Sequence, residues 1–143
     1  MATQNVYANF RFRVEIDGIA QASFSEVALP ETMIEIIDYR EGADITTRKL
    51  PGMRKFSNLT LRRGVTASNE LFDWYKSVAE GNTQRRMVVV LLLDEQQNPV
   101  KRWIMRNVWP ARYAVSPLVA PDGCVVVTET LECAVEHFEA ESP

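Results

Sequence analysis

The chain of 143 residues holds one histidine and two cysteines, so its inventory for acid–base, nucleophilic or metal chemistry is short. His137 stands in an acidic stretch near the C-terminal end. A general base needs a nucleophile or an orienting partner within reach, and no spacing in the chain supplies one. It reads as a surface histidine. Asp94 and Glu95 are adjacent carboxylates, but they sit in DEQQNP, where acidic residues stabilise a chain reversal. Cys124 and Cys133 fall in one expected strand, which sets their Cα atoms roughly 30 Å apart at about 3.3 Å per residue, beyond disulfide reach. Their odd spacing also puts them on opposite faces, so both are expected as buried, reduced thiols. A single histidine leaves no zinc-binding set. The glycines fit neither a dinucleotide fingerprint nor a phosphate loop. The doublets Arg62–Arg63 and Arg85–Arg86 lack the interleaved aromatics of a nucleic-acid-binding face and read as solvated strand ends. No residue is assigned a catalytic, cofactor-binding or metal-binding role. A non-enzymatic protein is expected, with no cofactor.

The elements that carry these residues are mostly strands. Met87 to Leu93 is an unbroken apolar row, too short for the roughly 18 residues of a membrane span and suited to a strand covered on both faces. Asp94 to Pro99 turns the chain, and Val100 to Val108 returns with Trp103. Burying seven such side chains contributes about 1.5–3 kcal/mol each, more than any other segment offers. This hairpin is therefore the expected scaffold, with Val88, Val90, Leu92, Trp103 and Trp109 in its core. Phe10 to Asp17 alternates apolar and charged residues and predicts a half-buried strand. Further strands are expected over 20–29, 33–39, 56–63, 112–115 and 124–137. One helix is expected: Thr66 or Ser68 caps it, Leu71, Trp74, Tyr75 and Val78 form its buried stripe, and Gly81 ends it. About eight strands and one flanking α-helix predict a mainly β fold, a barrel or sandwich, in a single domain spanning 1–143. Residues 1–7 are expected to be flexible, and 138–143 to form an acidic tail.

Residues 40–55 break the strand rhythm and read as a long loop, a feature uncommon in compact domains unless it has a task. The loop holds five basic side chains against two acidic ones, although the whole chain carries a formal charge of −3. Glu129, Glu132, Glu136, Glu139 and Glu141 gather at the other extreme of the sequence. The net negative charge disfavours nucleic-acid reading.

Several ordered segments bear a family likeness: FRFRVEIDG at 10–18, YREG at 39–42, LPG at 50–52, LTLRRGVT at 59–66, LFDWYKSVAEG at 71–81, VVLLLDEQQNPVKRW at 89–103, NVWPARY at 107–113 and TETLECAVE at 128–136. The chain resembles the tail-tube proteins of contractile phages and of extracellular contractile injection systems, from about residue 7 to 138. The resemblance implies a β subunit completed by ring assembly: hexameric rings stack into a hollow tube inside a contractile sheath, joined to a baseplate. The bore then carries DNA in phages or effector protein in injection systems. Synthesis in the bacterial cytoplasm is expected, since MATQNVYANFRF has no apolar core of a signal peptide.

In such a stack the basic loop is expected to reach the next ring. Arg40, Glu41, Gly42, Arg48, Lys49, Leu50, Pro51 and Gly52 would make the contact, and acidic groups such as Glu132, Glu136 and Glu139 would receive it. Exposed ion pairs are worth about 0–1 kcal/mol each, so such pairing sets register more than strength. A baseplate-proximal tube initiator is the alternative within the family. A monomeric ligand-binding barrel, with Trp103 and Trp109 on one face lining a cavity, is the alternative outside it.

Overall fold

The computed structural model describes residues 6–17, 19, 23–43, 45–120 and 126–142. Among them the chain forms nine strands and one helix: β1 (Phe12–Ile16), β2 (Glu26–Ala28), β3 (Thr32–Tyr39), β4 (Arg48–Phe56), β5 (Leu59–Gly64), α1 (Glu70–Ala79), β6 (Arg86–Leu93), β7 (Pro99–Val115), β8 (Thr128–Ala134) and β9 (His137–Glu141).

Two antiparallel leaves share strand β7. Its first half lies between β6 and β9, and β6 in turn pairs with β1, giving the leaf β1-β6-β7-β9. Its second half pairs with β8, followed by β5 and β2. Val14, Ile16, Val88, Val90, Met105 and Val108 of the first leaf meet Leu59, Leu61, Leu131 and Cys133 of the second in one core, with Leu71 and Trp74 of α1. The mainly β expectation holds in sandwich form, without a closed barrel.

The 87–108 hairpin forms as its pattern predicts. Asp94 closes the turn by accepting 2.9 Å bonds from the backbone N–H groups of Gln96 and Asn98. The strand beyond it is longer than expected. Pro110 does not separate 100–108 from 112–115, because it sits at a ladder irregularity between Pro110 and Arg112, where a missing N–H is tolerated. A second irregularity lies between the pairs Arg86–Val108 and Val88–Met105, where Asn107 takes φ +55°. The extra residue flips the alternation. Trp103, Met105 and Val108 oppose Val90, Val88 and Arg86 on the core side, so Trp109 faces away from Trp103. Leu92, expected in the core, is half-buried, as are Trp103 and Trp109.

Other boundaries move. Residues 48–55, expected inside a loop, belong to strand β4, which also takes in Phe56, expected to open the next strand; exposure on both faces removes the period by which a strand is read. The last expected strand is two, β8 and β9, which pair with different halves of β7; part of the acidic tail is therefore β9. Cys124 and residues 20–22 lie outside the described residues. The 20–29 strand is represented by β2, and Phe10 is exposed ahead of β1.

Helix α1 starts at Asn69, with no side-chain cap, in place of Thr66 or Ser68; those hydroxyls instead accept from Ser68 and Glu70 backbone N–H groups. Its end is as expected. Gly81 takes φ +94°, its N–H bonds Val78 and that of Asn82 bonds Ser77, the pattern of a glycine-terminated helix. A side chain at Gly81 would meet no neighbour, so Gly81→Ala tests the backbone alone and is expected to cost about 1–2 kcal/mol. Leu61→Ala, in the fully buried centre, is expected to cost about 2–5 kcal/mol. Urea midpoints should fall in that order at unchanged slope.

Candidate assembly interface

Among the described residues, strands β3 and β4 pair only with each other and form a two-stranded arm. A lone hairpin is marginally stable in water, so its base is tied to the body. Glu31 and Ser57 exchange bonds there: the Glu31 N–H donates to Ser57 Oγ at 2.6 Å, and the Ser57 N–H donates to the Glu31 carbonyl at 2.9 Å. Arg54 donates to Thr32 Oγ1 and to the Phe138 carbonyl, both at 3.3 Å. Every residue of β3 is exposed, including Met33, Ile34, Ile36 (62%) and Ile37, and so are Leu50 and Met53 (71%) of β4. Gly52 is required by closeness: a Cβ there would lie 3.0 Å from the Ile37 side chain and 3.1 Å from the Glu35 carbonyl.

The eight arm residues singled out from sequence come together. Arg40, Glu41 and Gly42 stand at the tip, with Gly42 at φ +53°, and Arg48, Lys49, Leu50, Pro51 and Gly52 run along β4. Their expected acidic counterparts do not form one cluster. Glu132 accepts from Asn58 at 3.1 Å and Arg112 at 3.3 Å, and Glu136 pairs with Arg85 at 3.6 Å. Glu139 is exposed on β9, across from Ile104. Sequence reasoning placed β3 in the body and so missed its isoleucines as arm residues.

The first leaf is open at both edges. Among the described residues β6 is the one strand paired with β1, whose Ile16 carbonyl also accepts from the Ile19 N–H at 3.1 Å, and β7 is the one strand paired with β9. The Arg11 carbonyl accepts from Leu93 and the Asp17 N–H donates to Met87, so alternation aims the backbone groups of Phe12, Val14 and Ile16 outward. On the face away from the core, β1 carries Arg11, Arg13, Glu15 and Asp17, while β9 carries His137, Glu139 and Glu141. The registers bring Phe12, Leu92 and Lys101 to one level, next to the Arg102–Glu141 pair; at the other end, Ile16 is level with Val88 and Met105, next to Arg106–His137. The registers thus set Arg13 level with Glu141 and Glu15 level with Glu139. Leu91, buried on this face, lies between Arg13 and Arg102, whose aliphatic stems can shelter it. Arg13 pairs with Glu15 at 3.4 Å, and Arg102 with Glu141.

A buried brace stiffens the second leaf. Arg63 Nε donates to Glu129 Oε1 at 2.6 Å, and the Tyr113 hydroxyl donates to Glu129 Oε2 at 2.6 Å, joining β5, β8 and β7. Burial, the bond to Glu129 and its negative charge push the Tyr113 phenol up to about 12. The Phe72 ring of α1 packs edge-on against Tyr113 at 5.2 Å.

The arginine doublets serve the fold: Arg62 binds Glu26 at 2.8 Å, and Arg86 lies 5.1 Å from the Trp74 ring centre. No group of three or more metal-ligating side chains occurs among the described residues. Nor is any described helix long and apolar enough to cross a membrane. A groove of about 530 Å³ between the β1 and β2 edges is lined by Phe12, Phe24, Leu29, Leu92 and Trp103; Trp109 takes no part, which removes the two-tryptophan cavity.

The family model for T4-like virus tail tube protein gp19 matches residues 8–139. No curated protein is matched. Among solved structures, a chain of the extracellular contractile injection system PVC sheath-tube complex in the extended state is 21% identical, with TM-score 0.87, over 96% of this chain and 93% of that one. A chain of the anti-feeding prophage tube-terminating cap gives 20% identity and TM-score 0.89 over 100% and 95%. A chain of the anti-feeding prophage baseplate gives 24% and 0.82 over 99% and 98%. These likenesses concern the fold.

Glu129→Ala would leave Arg63 charged and unpaired in the interior and is expected to cost about 3–5 kcal/mol by denaturant unfolding. Alkali tests the same region. The Tyr113 phenol ionises near 10 when unfolded, and burial likewise pushes the Cys133 thiol from 9 up to about 12. Only the unfolded chain then loses these protons, so stability should hold below pH 9 and decline up to pH 12. Tyr113→Phe should make the decline above pH 10 shallower in urea midpoints taken across this range.

Proposed function

Because this chain belongs to the T4-like tail tube protein family, found in contractile injection systems, we propose that it is the repeating subunit of an inner tube, built as stacked hexameric rings. Its work is mechanical. The rings form a conduit for effector protein or DNA, enclosed by sheath proteins and seated on a baseplate, within a phage tail or injection particle assembled in the bacterial cytoplasm. No residue is assigned to bond making.

The observation that carries this reading is the leaf open at both β1 and β9. An uncovered edge is a template for another strand, and a ring of copies abolishes it. β1 and β9 run antiparallel, so β9 of one copy can continue the antiparallel sheet into β1 of the next. With the two edges kept level, Arg13 approaches Glu141 of the neighbour, a contact that sets register more than it adds affinity. The arm leaves each ring to contact the next, with Arg40, Glu41, Gly42, Arg48, Lys49, Leu50, Pro51 and Gly52 at the junction. A terminal role, as initiator or cap, is a second reading, favoured by the similarity to chains of a baseplate and of a tube-terminating cap.

Negative-stain imaging of the purified protein discriminates among these. Stacked rings are expected; rings that stay single support the terminal role, and a compact monomer at high concentration removes both. Joint Arg48→Glu and Lys49→Glu substitution should shorten or abolish stacks while circular dichroism and the urea midpoint stay within about 0.5 kcal/mol of the parent.

A further inference from the structure

Among the described residues, a second exposed apolar surface lies at the end of β5 away from the arm. Val65, Val115, Leu118 (77%), Val119 and Val126 (72%) are all exposed. Backbone bonds bring their strand ends side by side: the Val65 N–H donates to the Val127 carbonyl at 2.9 Å and the Ser116 N–H to the Thr128 carbonyl at 2.8 Å. The patch closes the far end of β5, and the arm joins its near end through Ser57 and Asn58. Six residues of strand separate the two, about 20 Å.

We infer that the patch is the seat of the arm from the next ring. The inference rests on the tube reading and names the surface that the arm meets. Three features select a second copy as the occupant. First, the arm leaves Ile34, Ile36 and Ile37 exposed across its two faces, and exposed apolar surface of this kind marks an interaction site. Second, arm and patch are unlike surfaces at opposite ends of one strand, which is what a head-to-tail, open-ended stack needs and a two-fold dimer does not. Third, charge agrees. The arm tip holds Arg40, Arg48 and Lys49 beside Asp38 and Glu41, a net basic set among the described residues, while Glu70 and Asp73 open α1 five and eight residues after Val65. Phe72, between them, packs on Tyr113, two residues before Val115. The arm, eight to nine residues per strand, extends about 26–30 Å, enough to cross from one ring to another. The acidic groups at 132 and 136, occupied by Arg112 and Arg85, are not needed.

The test is cross-linking in assembled particles. In a Cys124→Ser background, Ile36→Cys and Val119→Cys are combined in one chain and treated with a short bis-maleimide; buried Cys133 stays inert. Covalent ladders running past six chains are expected, and neither single variant should give them. Assembled stacks without a ladder, a ladder that stops at six, or equal cross-linking of a single variant would overturn the seat while leaving the tube intact. Absence of stacks from the unmodified protein would overturn the tube reading itself, and the seat with it. Val119→Asp supplies a readout independent of cross-linking: intact rings that no longer pellet as long particles are expected, and pelleting equal to the parent would overturn the proposal.

Discussion

Backbone hydrogen bonding along β7 is the constraint on which the rest of the structure depends. This one strand of 17 residues satisfies the ladders of β6 and β9 in its first half and of β8 in its second. Two leaves are thereby held face to face by a shared chain as well as by side-chain contacts. The irregularities at Asn107 and Pro110 belong to that role. They let Met105, Val108 and Pro110 all enter the interior although strict alternation would turn one of them out.

What β7 completes inside, the periphery leaves open. Among the described residues, β1, β2 and β9 each have one unpaired side, and the arm has neither a third strand nor a core of its own. In an isolated subunit these features are liabilities, because exposed edges and apolar hairpins invite uncontrolled association. In a repeating assembly they become the joints. The two surface types also divide the work. In the tube proposed above, edge pairing gives direction and register through backbone bonds, and the arm carries apolar contact from ring to ring.

In the proposed tube, stiffness is needed where such joints attach. The Arg63–Glu129–Tyr113 brace lies in the leaf from whose central strand, β5, the arm departs. Buried ion pairs add little net stability against an apolar replacement, yet they hold a single geometry because each partner is costly to leave alone. Here the brace fixes β5 against β8 and β7, and the T-shaped contact of Phe72 on Tyr113 couples α1 to the same unit.

The sequence by itself determined whatever rests on local pattern. The apolar row Met87 to Leu93, the DEQQNP turn and the helix ending at Gly81 were legible because periodicity and turn chemistry act over a few residues. Family likeness was legible too, from ordered motifs spanning the chain. Tertiary structure alone decided the rest. The arm hid inside an apparent loop, because a strand exposed on both faces has no reason to alternate. Trp109 changed faces through one extra residue at Asn107, and the acidic C-terminal stretch became an edge strand by pairing with a partner some 35 residues away. Glu129 entered a buried pair with Arg63 although it read as one of an acidic surface cluster. Each of these outcomes depends on which distant backbone or side chain supplies the hydrogen bond, and no local pattern records that.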